Sequence, residues 1–252
     1  MEFNNINRYV VISTNNNPDY YFYAPFQEKA WNSLGWNLCV MVTRDVHIPD
    51  LKLSNPSTVV VRMAEHSHLR SETVAQVSRL YAASYFDSDT LLMTCDMDLI
   101  PLTDYWKPDK NNITIYGHDL TWHSFYPMGY IAMTSANWAK YMKLTDNVEA
   151  DINRDAEEYK HLTSSDNWES WWNYDWTMIT DRLKPFKDSL TFIDRGQINI
   201  AGATLAKGRV DRHNFIETQN QPYLIDAHCE NNNVKHPVKL EPFLELYNKF
   251  YK

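Results

Sequence analysis

The sequence predicts an α/β protein with a mostly parallel central sheet flanked by helices. Short β-branched runs alternate with amphipathic segments through the first hundred residues. The run TLLMTC (90–95) is apolar along most of its length, as a strand covered on both faces would be. Hydrophobic residues make up 44% of 252, enough for one large core, and no stretch has the composition of a disordered chain.

In chain order, RYVVIST (8–14) reads as the first strand. PFQEKAWNSLGW (25–36) reads as a helix, with Pro25 in its first turn and Gly35 near its stop. NLCVMVT (37–43) and STVVVRM (57–63) are the next strands. SETVAQVSRLYAASYF (71–86) is an amphipathic helix: Val74, Val77, Leu80, Tyr81 and Tyr85 fall at steps of three and four, with Ser71 as the expected cap. TLLMTC follows as a strand. The second part is less regular. NITIYG and GYIAMTS read as strands, 135–144 and 148–162 as helices, and 170–184 as helical in its later part. LTFID (190–194) is a short strand, and LEPFLELYNKFYK closes the chain as a helix. With no repeat and no linker, one domain of two lobes is expected, 1–106 and 107–252.

The net charge of −8 argues against a nucleic-acid partner, which needs a basic face. It leaves room for a small anionic ligand whose charge a metal cancels. Cys39, Cys95 and Cys229 are odd in number and lack metal-ligand spacing, which points to a reducing compartment. There is no signal-like segment and no window of about eighteen apolar residues. A soluble, cytoplasmic protein with no membrane span is expected. Nine Trp, sixteen Tyr and ten Phe suit a carbohydrate or nucleotide site, although a large core would use most of them.

The chemistry concentrates in LLMTCDMDLIPLTDYW (91–106). In an extended segment, side chains at i and i+2 point the same way, so Asp96 and Asp98 would face one spot and Met97 the other. Two crowded carboxylates repel unless a cation sits between them. Mg²⁺ and Mn²⁺ take oxygen ligands, often one or two carboxylates together with substrate phosphates. The pair therefore reads as half of a metal site completed by a diphosphate. In open sheets of this kind, ligands bind beyond the carboxyl ends of the strands, where this pair lies. The plainer alternative is that Asp96 caps a turn and Asp98 is solvated.

The segment 77–106 resembles the central part of the A-type-fold (GT-A) glycosyltransferases that use nucleotide sugars. In that family a helix bearing an Arg-Leu pair precedes a strand, then D-x-D, then an apolar turn leading to a Trp. Arg79-Leu80, Asp96-Met97-Asp98 and Trp106 fill those places, and MGYIAMTSANWAKY agrees more weakly with the segment that follows. Thr94-Cys95 depart from the aromatic or aliphatic pair the family often has. The resemblance implies a GT-A-like domain whose first half (1–106) binds the nucleotide sugar and whose second half (107–252) binds the acceptor and carries catalysis. It implies Mn²⁺ or Mg²⁺ held by Asp96 and Asp98, gripping the diphosphate of a UDP- or GDP-sugar. A glycan or glycoconjugate hydroxyl would be the acceptor, and the chain would belong among soluble enzymes of bacteria or large viruses.

The same resemblance implies a late third metal ligand, commonly His. His228, beside Asp226, is the candidate, with His236 and His213 as rivals. An inverting enzyme needs a base for the acceptor hydroxyl. Asp175 lies where similar enzymes carry a carboxylate opening a helix, with Glu169 second and Asp166 also nearby. An ordinary first-turn Asp is the alternative for Asp175, and a retaining enzyme would not need this base. Ser13, Thr14 and Asn15 are expected near the nucleotide, unless they form only a polar loop. Arg44 and Asp45 end the second strand in the same sense. Arg79 would approach the diphosphate or brace the motif loop. One or two of Trp168, Trp171, Trp172, Tyr174 and Trp176 would stack on a sugar ring. Residues 116–129, with His118, Asp119 and His123, would line the acceptor side. The competing readings are a D-x-D phosphatase, a sugar nucleotidyltransferase and a non-catalytic glycan-binding module. The phosphatase motif follows the first strand, and the nucleotidyltransferases carry a Gly-rich basic loop that STNNNPDYY lacks.

Overall fold

The computed structural model describes residues 7–64, 69–117, 125–163, 172–200, 202–229 and 237–251. The first strands are β1 (Arg8–Thr14), β2 (Asn37–Val42), β3 (Val59–Arg62) and β4 (Leu91–Thr94). Farther along come β5 (Leu99–Pro101), β6 (Ile113–Tyr116), β7 (Ile131–Thr134) and β8 (Leu190–Ile193). A seven-stranded sheet runs β3-β2-β1-β4-β7-β6-β8. β1 is parallel to both β2 and β4, β2 to β3, and β6 to β8, while β7 is antiparallel to its neighbours β4 and β6. Both parts of the chain therefore contribute strands to one mainly parallel sheet.

Covering on both faces explains why β1 and β2 read as continuous apolar runs. Val10 and Ile12 of β1, with Leu38, Val40 and Val42 of β2, enter one core. Val11, Cys39 and Met41 enter the other. The first core is closed by the helices Ala24–Ser33 and Pro237–Phe250 through Trp31, Phe243, Leu246 and Tyr247. The second is closed by the helices Ser71–Ser78, Ser135–Met142 and Tyr174–Leu183 through Val74, Val77, Trp138, Met178 and Ile179. Most described aromatics serve these cores: Trp31, Trp36, Trp106, Trp138, Tyr23, Tyr81, Tyr130 and Tyr174 are fully buried. Cys39, Cys95 and Cys229 are buried free thiols. Among the described residues, no helix is long and apolar enough to cross a membrane.

Three local expectations change. The helix expected over 71–86 is α-helical only to Ser78 and continues as a 3₁₀ segment, Arg79–Tyr85. Here the Ser78 hydroxyl donates back to the Ala75 carbonyl (2.6 Å) and Arg79 Nε to the Gln76 carbonyl (3.2 Å), which accompanies the tightening. Ser71 is not the cap. Arg70 occupies that position and its side chain does not cap the helix, while the buried Ser71 hydroxyl has no partner among the described residues. The Asp96–Asp98 segment is a turn rather than an extended strand, closed by the Leu99 amide donating to the Asp96 carbonyl (3.1 Å).

The turn also accounts for the chain's return to apolar residues. Leu99–Pro101 forms β5, which pairs antiparallel with β12 (Asp226–His228), register His228 opposite Leu99. The Cys229 amide adds a bond to the Asp98 carbonyl (2.8 Å). Between β8 and β12 lie β9 (Gln197–Ile200), β10 (Ala203–Ala206) and β11 (Arg209–Val210), and β11 runs parallel to β12. These pairings carry the last third of the chain to the rim where β1 and β4 end.

Candidate active site

The acidic turn sits at the C-terminal ends of β1 and β4 and opens on a cavity of about 310 Å³. Ser13, Thr14 and Asn15 line it from the end of β1, and Glu72, Gln76 and Arg79 from the helical segment before β4. Asp96, Met97 and Asp98 come from the turn, Trp172 from just before the helix Tyr174–Leu183, Asp175 and Trp176 from its first turn, and Arg212 and His228 from the last third. Ten residues singled out from sequence thus converge: Ser13, Thr14, Asn15, Arg79, Asp96, Asp98, Trp172, Asp175, Trp176 and His228.

Others fall elsewhere. Arg44 and Asp45 line a separate cavity of about 230 Å³ with Thr43, Leu69, Ser71 and Val74. The strand order explains this placement: β2 lies two strands from β4, roughly 10 Å across the sheet, so its end does not reach the acidic turn. His213 is exposed and does not line the main cavity. Tyr174 belongs to the core, whereas Trp172 and Trp176 line the cavity. Glu169, Asp166, Trp168, Trp171, His118, Asp119, His123 and His236 lie outside the described residues.

The turn is held by a residue that sequence reading missed. Gln27, fully buried in the helix Ala24–Ser33, donates its Nε2 hydrogens to the carbonyls of Asp96 (3.1 Å), Met97 (2.9 Å) and Leu99 (2.9 Å). Its Oε1 accepts from Trp31 Nε1 (2.8 Å). The available signal was a polar residue on a buried helix face, in step with Ala30, Trp31 and Leu34. Gln27→Leu keeps the bulk but removes one buried bond from each of the three carbonyls and the acceptor of Trp31 Nε1. We expect a stability loss of about 3 kcal/mol in denaturant unfolding. A loss below about 0.5 kcal/mol would mean that the turn keeps its shape without Gln27. Close approach matters on the other side: a Cβ on Gly129 would stand 2.9 Å from Leu99 Cδ1 and 3.2 Å from Asp96 Oδ2.

Ion pairs order the carboxylates. Arg79 is buried between Asp96, which it contacts directly, and Asp175 (2.8 Å), and it also donates to the Cys95 carbonyl (3.0 Å). Burial lowers its affinity for a proton, but Asp96 and Asp175 outweigh that and raise its pKa. Asp175 also accepts from the Trp176 amide (2.9 Å). Burial pushes the Asp175 carboxyl up to about 6, with Arg79 opposing and Asp96 adding to the rise. Asp98 behaves oppositely. Burial would raise it, but His228 and then Arg212 hold it below its ordinary value. Both side chains approach one oxygen, Oδ2, with Arg212 Nη1 at 3.1 Å and His228 Nε2 at 3.5 Å.

Asp226 is fully buried and clamped by Arg195 (2.9 and 3.0 Å) and Arg209 (2.9 and 3.1 Å). Burial would raise its pKa, but the two guanidiniums hold it well below the usual carboxylate range. It braces β12 and leaves His228 as the group presented to the cavity. A second cavity of about 170 Å³ adjoins the first through shared Asp96, Trp176 and His228. Trp106, Tyr116, Gly129, Tyr130, Arg195 and Arg209 line its far side, so part of the 116–129 segment reaches this space.

The donor set Asp96, Asp98 and His228 has the chemistry of a Mn²⁺ or Mg²⁺ site, two carboxylates and an imidazole. The described residues contain no three acidic, His or Cys side chains already gathered as a metal cage. The carboxylates are turned instead to Arg79 and Arg212. Charge favours a cation all the same. The cavity lining carries four carboxylates (Glu72, Asp96, Asp98, Asp175) against two guanidiniums (Arg79, Arg212), an excess of two negative charges with His228 neutral.

No protein-family model and no curated sequence relative matches the chain. Solved structures do. The galactosyltransferase LgtC, in complex with donor and acceptor sugar analogs, aligns over 97% of this chain and 96% of its own, at 12% identity and a TM-score of 0.53. An active-site mutant of LgtC aligns over the same shares at 12% identity and a TM-score of 0.54. The apo form of the glycosyltransferase GlyE of Streptococcus pneumoniae TIGR4 aligns over 97% of this chain and 63% of its own, at 11% identity and a TM-score of 0.52. The fold is thus the GT-A glycosyltransferase fold.

Proposed function

We propose that the protein is a metal-dependent glycosyltransferase that moves a sugar from a UDP- or GDP-sugar to a hydroxyl of a glycan or glycoconjugate. One observation carries this reading. Residues as far apart as 13–15, 79, 96, 98, 175 and 228 meet in one cavity at the strand ends of this fold. Ser13, Thr14 and Asn15 would take the nucleotide. Asp96, Asp98 and His228 would hold Mn²⁺ or Mg²⁺, which when bound supplies Lewis-acid stabilisation of the departing diphosphate. An anionic donor alone would add to the negative excess of the cavity, and a divalent cation cancels it.

The chain's own groups do the rest. Arg79 fixes Asp96 and Asp175 in one orientation. Asp175, which burial pushes up to about 6, would accept the proton of the acceptor hydroxyl in an inverting transfer. Trp176 stands between the two cavities, where a sugar ring passing from donor to acceptor would stack. The adjoining cavity, lined by Trp106, Tyr116 and Tyr130, would receive the acceptor.

A donor screen tests the proposal. Each of a panel of UDP- and GDP-sugars is incubated with the protein and Mn²⁺ or Mg²⁺, and nucleotide release is measured. One donor is expected to turn over, and EDTA to abolish release. Turnover of similar rate in EDTA would remove the metal. Binding of glycans with no nucleotide release from any donor would favour the glycan-binding module.

A further inference from the structure

We propose that Arg212 is a built-in counter-ion of Asp98, displaced when the divalent ion binds and taken up by the donor's diphosphate. The proposal deepens the metal-and-donor reading above and rests on it.

Among the arginines near the acidic turn, Arg212 is the loosely held one. Arg79 is 5% exposed and bonds to Gln76, Cys95, Asp96 and Asp175. Arg195 and Arg209 are each doubly bonded to the buried Asp226. The Arg212 side chain is 23% exposed and, among the described residues, makes one bond, to Asp98 Oδ2. Its backbone, in contrast, is fixed. Asp211 Oδ1 accepts from the amides of His213 (3.0 Å) and Asn214 (3.2 Å), and the Asp211 amide donates to the Thr218 hydroxyl (2.9 Å). The side chain can therefore swing without moving the chain that carries it.

The oxygen that Arg212 covers is the one a metal would need, because His228 approaches the same Oδ2. A guanidinium and a divalent ion cannot share one oxygen at contact distance without strong repulsion. Metal binding alone must break the Arg212–Asp98 pair. Diphosphate binding alone finds Arg212 already engaged. When both bind, the ion takes Asp98 and the freed guanidinium, still within the cavity, meets phosphate oxygens in the fork geometry it favours. Metal and nucleotide are then positively coupled, and the coupling is reciprocal.

Mn²⁺ binding is to be measured by titration calorimetry and by electron paramagnetic resonance of free Mn²⁺. It is measured with and without UDP or GDP and corrected for Mn²⁺–nucleotide complexes in solution. The proteins are wild type, Arg212→Gln, Arg212→Lys and Asp98→Asn, each checked for fold by circular dichroism. In wild type, saturating nucleotide should tighten Mn²⁺ about tenfold, within the usual range for coupled sites. Arg212→Gln should bind Mn²⁺ alone several-fold tighter, with the coupling largely lost, and Arg212→Lys should retain part of it. Mn²⁺ affinity that is unchanged or weaker in Arg212→Gln, while Asp98→Asn abolishes binding, would overturn the counter-ion role and leave the metal site standing. Equal Mn²⁺ binding by wild type and Asp98→Asn, or none by either, would overturn both.

Discussion

Asp98→Ala is expected to lower sugar transfer by on the order of 10³-fold while leaving a folded protein. The size follows from what converges on that side chain. A single preorganised electrostatic group aimed at developing charge is typically worth about 10²–10³ in rate, and Asp98 would serve as a metal ligand beside His228. The fold should survive because its partners are not deeply buried: Arg212 and His228 are 23% and 22% exposed and would regain water. The loss of stability is therefore expected near 1 kcal/mol. It should also depend on pH in a definite sense. The Asp98 pKa is depressed in the folded state, so its contribution is present above the unfolded pKa and is lost as pH falls through the folded one. The gap in melting temperature between wild type and variant should close in acid. Steady-state kcat/KM with the donor found by screening and melting curves across pH check both parts. Activity within about tenfold of wild type would place the chemistry away from Asp98.

What the sequence made legible was local. β1, β2 and β4 were readable because strands buried on both faces show as unbroken apolar runs, and the polar residues after them mark the rim. Ser13 to Asn15 and Asp96 to Asp98 stand at that rim, and they were singled out by that logic together with the acidic pair and the resemblance of 77–106. The unread parts depend on contacts far along the chain. β5 and β12 are three residues each, too short for a periodic signal, yet their register sets His228 beside Asp98. Asp226 has the sequence context of a possible ligand, and only the distant Arg195 and Arg209 reveal it as a brace. Arg212 lies 114 positions from its partner, in a polar stretch with nothing to distinguish it from a solvated surface. Arg44 shows the opposite case. It follows a strand's end as Asn15 does, but which strand ends adjoin the acidic turn is a matter of sheet order, and no local pattern states it.

Asp175→Asn should cost about 10²–10⁴ in kcat/KM, the range of a lost general base, and should remove one limb of the pH profile. In wild type, a base must be deprotonated to act, and burial sets this carboxyl at about 6. Activity should therefore rise with pH through that value and level off above it, unlike the profile of an exposed Asp, which would already be flat. Stability should move the other way. The folded pKa is raised above the ordinary 3.8, so the native state favours the protonated form. That preference stabilises the fold fully below the unfolded pKa and is lost as pH rises through about 6. The Asn variant lacks this titration, so its stability should gain on wild type across that window. A side chain that merely opened the helix Tyr174–Leu183 would affect stability by about 0.3–1 kcal/mol through the helix dipole and leave the pH dependence of kcat/KM unchanged. The two roles therefore separate on one pair of measurements. If the variant retains activity within a few-fold and keeps the acid limb, Asp175 opens a helix and pairs with Arg79, and a base is either supplied elsewhere or not required, as in a retaining transfer.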